Sequence, residues 1–213
     1  ALEPLALVDP NIAERVRAVL EQKEPTVSDQ PIKLLVEETL WGLSLEISFG
    51  RTLAFSFADL IGRASPQQIK CYRSLVRKFG KQGPTLGRIM AEHIMPVLKH
   101  GDARFLKLFL QTLDILQIKG TYTLPDPLKA LSELLKKKDI ESASVYIDLL
   151  GEAFAGDMSY VQSQKFAHLL PKAVLALSPS KRVWQMEQLR RIITADFHLA
   201  DAFLDGLEKG LYL

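Results

Sequence analysis

Four histidines, one cysteine and a few acidic pairs are the residues with which this chain could do chemistry. His93, His100, His168 and His198 show no metal-ligand spacing between neighbours. His93 and His168 each stand three residues before a proline, Pro96 and Pro171. A proline inside a helix frees one carbonyl, so each imidazole is expected to bond that carbonyl. Cys71 sits between Lys70 and Tyr72 with no histidine near it in sequence. A nucleophilic thiol needs such a base or a lowered pKa, so Cys71 reads as a small buried hydrophobe. Glu37-Glu38 and Asp201/Asp205 read as solvated helix faces. No phosphate loop, dinucleotide fingerprint, zincin motif or nucleophile elbow occurs, and no cofactor is called for. The chain reads as a non-enzyme.

Composition agrees with a soluble globular protein. The 213 residues carry 27 basic and 25 acidic side chains, a net charge of +2. So small an imbalance argues against a dedicated nucleic-acid binder. A single cysteine excludes an intramolecular disulfide and multi-cysteine metal sites, and suits a reducing, cytoplasmic setting. No apolar run is long enough for a membrane span. The chain starts with Ala1, which reads as a piece of a longer protein.

The elements that must position these residues are helices. Apolar residues recur at spacings of three and four. The pattern predicts helices over roughly 10–22, 29–48, 51–63, 66–79, 84–98, 103–116, 125–137, 140–154, 159–177, 179–193 and 196–210. Asp9-Pro10 and Ser65-Pro66 supply caps, and Ser65 to Gln68 has the form of a capping box. Gly80 and Gly101 read as left-handed helix ends. Lys136-Lys137-Lys138 reads as a cationic cluster at the negative end of a helix.

A repeat underlies the pattern. Ser28, Ser65, Asp102 and Asp139 lie 37 residues apart. Four residues on come Ile32, Ile69, Leu106 and Ala143; seven on, Leu35, Tyr72, Phe109 and Tyr146; eleven on, Thr39, Val76, Leu113 and Leu150. These offsets mark one helical face. A helix pair of this period predicts an all-α chain, an α-solenoid of about five stacked HEAT/armadillo-like hairpins. An irregular α-helical bundle is the alternative. The domain reading is an N-terminal helix and linker over 1–27 and one continuous array over 28–213. Phe105, Phe109, Tyr146, Phe154 and Phe166 fall on apolar stripes and are assigned to the core.

The segments from Gly101 to Leu110 and from Leu170 to Leu175 resemble the helical-repeat region that precedes the von Willebrand A domain in NorD/CoxE-type proteins. The family's metal motif, D-x-S-x-S, is absent; the string Asp157-Met158-Ser159-Tyr160-Val161 fails at its last position. The resemblance implies a chain that holds the repeat region alone. It also implies a partner among the MoxR-class AAA+ ATPases that act in metalloenzyme maturation.

The functional expectation is a non-catalytic protein-interaction scaffold. By analogy with other solenoids the second helix of each hairpin carries the binding face. Arg88, Lys99, Lys129, Lys136, Lys165 and Lys172 lie on those helices, with Glu92 among them. They are the candidate contacts for an acidic partner surface. A nucleic-acid-binding repeat protein and an enzyme of unrecognised type are the alternatives.

Overall fold

The computed structural model describes residues 2–22, 29–61, 64–100, 103–119, 123–156 and 158–195, with single positions beyond. The described residues are helical throughout and contain no strand. The elements are α1 (Glu3–Val8), α2 (Pro10–Glu21), α3 (Asp29–Leu45), α4 (Ile47–Leu60), α5 (Pro66–Gly80), α6 (Pro84–His100), α7 (Ala103–Lys119), α8 (Pro125–Lys136), α9 (Ile140–Ala155), α10 (Tyr160–Ala176) and α11 (Pro179–Ala195). They fall into two compact units, residues 1–99 and 100–213. Most of the helix expected over 196–210, and the repeat positions Ser28, Gly101 and Asp102, lie outside the described residues.

The caps act as read. Asp9 accepts from the Ile12 N–H at 3.1 Å. Ser65 and Gln68 form a full capping box, and Ser159 with Gln162 form a second. Asp139 caps α9 through the Ser142 N–H. Ahead of it the Lys138 N–H bonds the Leu135 carbonyl and the Asp139 N–H bonds the Leu134 carbonyl. That is a Schellman stop, and Lys138 takes its left-handed position at φ 60°.

The repeat register is that of the core. Leu35, Tyr72, Phe109 and Tyr146 are all buried, as are Thr39, Val76, Leu113 and Leu150. At the offset-four position only Ala143 is buried; Ile32, Ile69 and Leu106 are half-exposed. Leu106 thus corrects its expected burial: it lies on the rim of the stripe. The five aromatic residues assigned to the core are buried.

Equivalent helices stack within each unit. In unit 1, α1 packs on α3 and α2 on α4; in unit 2, α7 packs on α9, α9 on α11 and α8 on α10. Asp139 meets Arg182 at the starts of α9 and α11, and Glu152 meets Arg190 near their ends. Start pairs with start, so these two helices run parallel. Unit 1 begins with two helices, where the sequence suggests one and a linker. α1 is a six-residue helix whose buried Leu5 anchors it.

Three glycine and loop assignments change. The break between α3 and α4 falls at Glu46, which is extended (φ −162°, ψ 137°), and not near Gly50. Gly50 lies buried inside α4, where an added Cβ would stand 2.5 Å from the Leu43 backbone N. Gly80 closes α5 within helical geometry, and a Cβ on Gly87 would stand 2.7 Å from the Gly80 Cα. These glycines are there because two helices of a hairpin approach more closely than a methyl group allows. The pairs Gly42/Gly50 and Gly80/Gly87 recur about one period apart, which closes both hairpins in the same way.

This fixes the sign of a substitution. Alanine in an open helix is worth about 1 kcal/mol over glycine. At position 50 the clash reverses that gain. Gly50→Ala is expected to lower unfolding free energy by about 1–3 kcal/mol in a urea melt. Gly83→Ala, with nothing within 4 Å, is expected to stay within about 0.5 kcal/mol. Phe109→Ala, which empties a ring that is 3% exposed, should cost about 3–5 kcal/mol in the same assay.

Candidate functional site

The side chains that could bind a partner are those that repeat stacking leaves over. A share of the charged side chains is used in the stacking itself. Acid and base pair one repeat apart: Asp9–Arg51, Glu38–Arg77, Asp59–Lys99, Asp126–His168, Asp139–Arg182, Glu152–Arg190 and Lys165–Asp205, at separations of 38 to 43 residues. In each of these but the last the acid belongs to the earlier repeat. Glu38 is the extreme case. Its carboxylate is 1% exposed and accepts from Arg73 Nε at 2.7 Å and Arg77 Nε at 2.8 Å. The Arg77 guanidinium also lies 5.1 Å from the Trp41 ring centre. The Glu38 contact, first, holds Arg77 above its ordinary pKa.

The six candidate basic residues do not share one fate. Arg88 and Lys99 belong to unit 1. Arg88 is half-buried on α6, and Lys99 reaches Asp59 at 2.6 Å. Lys129, Lys136, Lys165 and Lys172 belong to unit 2, on the packed pair α8 and α10. Lys165 is bound to Asp205. Lys129, Lys136 and Lys172 are exposed. On the second helices of unit 2 three lysines have no ion pair among the described residues, and two of the six candidates are spent in ion pairs.

His168 corrects its expected role. Its Nδ1 lies 2.8 Å from Asp126 Oδ2, and its Nε2 lies 2.7 Å from Lys172 Nζ. The carboxylate only accepts, so Nδ1 carries the proton. Nε2 is then free to accept from the ammonium. The ring therefore serves the neighbouring repeat and not the carbonyl released by Pro171. Carboxylate, imidazole and amine are connected as in a proton relay. Here, though, the chain's own ammonium occupies the lone pair a general base would use, on an open helix face. His93 stands 3.9 Å from Glu92.

Cys71 is half-buried, and burial pushes its thiol pKa up. That is the wrong direction for a nucleophile.

Sequence reasoning passed over the first-helix side of unit 2. A groove of about 550 Å³ runs between α7 and α9, with Arg104, Lys107, Ser144 and Asp148 in its walls. A second, of about 650 Å³, runs between α9 and α11, with Glu141, Glu187, Arg191 and Trp184. Trp184 is 65% exposed. It also borders an apolar groove between α10 and α11, beside Val174, Leu177 and Leu189. The only sequence signal was a tryptophan on a helix whose apolar pattern is weak. Among the described residues, no helix is long and apolar enough to cross a membrane.

Asp148 is the perturbed carboxylate of this side. Burial raises its pKa above the ordinary value, opposed by Arg190 and reinforced by Glu152 and Glu187. Comparison with family models, curated proteins and solved structures finds no match to the chain.

The Asp148 shift sets a sign. With a folded pKa above the unfolded one, the folded state binds more protons as pH falls toward the ordinary carboxylate value of about 3.9. Ionised Asp148 therefore opposes folding above that pH. Asp148→Asn is expected to raise the melting temperature at pH 7 and to leave it unchanged near pH 3. Equal shifts at both pH values would contradict the assignment.

Proposed function

We propose that this chain is a non-catalytic helical-repeat scaffold that binds a protein partner. The observation that carries the reading is Trp184, a large indole left 65% exposed on α11 between two grooves. Tryptophan and arginine dominate the energetics of protein interfaces, and Arg191 shares one of the grooves with Trp184. Folding does not explain the exposure of that ring, since the face of α11 that packs inward is carried by Met186, Leu189 and Ile193. Stacked repeats supply what such a site needs, a surface fixed by many neighbours. The resemblance to NorD/CoxE-type repeat regions adds a specific partner class, a MoxR-class AAA+ ATPase.

A photo-crosslinking amino acid at position 184, introduced in the native host, tests this. One discrete protein adduct is expected, and mass spectrometry should identify it as an AAA+ ATPase. The same residue at exposed Lys70 of unit 1 serves as the control. With the purified partner, Trp184→Ala should weaken binding by about thirtyfold, in line with an interface hot spot, with an unchanged melting curve. Absence of an adduct at 184, or binding indifferent to Trp184→Ala, would overturn the reading.

A further inference from the structure

On unit 2 the second helices carry more positive than negative charge without an opposite partner among the described residues. Asp126, Lys129, Glu133 and Lys136 follow one another on α8 at offsets of three, seven and ten. Val161, Lys165, His168 and Lys172 follow on α10 at offsets of four, seven and eleven. Each set is one helix stripe. The two stripes are joined where Asp126 meets His168. That contact uses the Asp126 carboxylate, and Asp205 is used by Lys165. Lys129 and Lys172 each stand one turn beyond the Asp126–His168 pair, and Lys136 stands at the end of α8. None of the three has a carboxylate partner among the described residues. Glu133 is the one acid of the two stripes not engaged in such a pair. The α10 stripe opens on Val161, 73% exposed, next to Tyr160, 53% exposed.

From this arrangement we infer that the α8–α10 face of unit 2 takes an acidic, partly apolar segment of the protein partner. Its carboxylates lie over Lys129, Lys136 and Lys172, and its apolar side chains lie on Tyr160 and Val161. The inference rests on the protein-binding reading above and assigns the chemistry of the partner. Charge complementarity selects the acid. The carboxylates of Asp126 and Glu133 stand among the lysines and oppose a continuous phosphate backbone. A peptide can space its charges to avoid them. Such an interface gains mostly in encounter rate and specificity and weakens with salt.

The test uses the purified full chain and three fluorescein-labelled probes: a twelve-residue peptide of Glu and Leu, its Lys and Leu counterpart, and a twelve-nucleotide oligothymidine. Fluorescence anisotropy is read at low and at physiological salt. Saturable binding of the Glu–Leu peptide is expected, weaker at the higher salt. The double variant Lys129→Glu/Lys172→Glu should bind it at least about tenfold more weakly, with an unchanged melt. Lys70→Glu, on unit 1, should bind as wild type does. Binding by the double variant within about twofold of wild type would overturn the inference. Equal or tighter binding of the oligothymidine would also overturn it, and would give the face to nucleic acid. A crosslinked protein at position 184 together with a failed peptide titration would sink this inference alone. Failure of the crosslink would sink the protein-binding reading itself.

Discussion

A helical hairpin has two apolar faces and can close only one of them by itself. The whole chain follows from that constraint. The inner face is shut by bringing the two helices together, and in unit 1 glycines set how near they come. The outer face must be covered by an equivalent hairpin. For that cover to fit, the same offsets must be apolar each time. Leu35, Tyr72, Phe109 and Tyr146 keep one position of the stripe, and Thr39, Val76, Leu113 and Leu150 keep another. Tyrosine at that position brings a buried hydroxyl with it. Burial raises the pKa of both Tyr72 and Tyr146, so both remain neutral phenols within the core.

Charge pairs join successive repeats beside the apolar contacts. An exposed ion pair adds at most about 1 kcal/mol, and most of the pairs between repeats are at least a quarter exposed on one side. In six of the seven pairs the acid stands in the earlier repeat and the base in the later one. Glu38 and Arg182 go further. A carboxylate 1% exposed and a guanidinium 4% exposed have lost their water and depend on their partners. Arg182 repays that loss by donating to the carbonyls of Val174 and Leu177, where α10 ends, besides reaching Asp139. One side chain therefore ties a helix end, a helix start and the preceding repeat.

What was legible in the sequence was local. Caps at Asp9, Ser65 and Asp139 work through bonds to the next three residues, so three letters are enough to read them. The apolar offsets are equally short in range. Contacts one repeat away were not legible, because their separations wander between 35 and 43 residues and no fixed spacing marks them. The expected helix bounds, 29–48 and 51–63, leave Gly50 in a break, and Gly80 reads as a left-handed helix end, because glycine's backbone freedom is a local property. Their real role is set by Leu43, Trp41 and Phe49, which lie on a neighbouring turn or helix. His168 was assigned to its own helix for the same reason, while its carboxylate stands 42 residues earlier. Of the candidate lysines, sequence gave the sign of each charge. Only the fold shows that Lys99 and Lys165 are already engaged.

That distinction also locates where new function is affordable in such a chain. A residue spent on stacking, such as Glu38, Arg182 or Arg190, cannot be altered for a partner's sake without loosening the repeat next to it. Among the described residues Lys129, Lys136 and Trp184 make no such contact, and Lys172 touches the His168 ring alone. All four side chains are exposed. Selection can therefore tune these positions to a partner at little cost to stability. The two halves of the stack divide the work: the buried stripe and the pairs between repeats hold the surface still, and the side chains left over give that surface its chemistry.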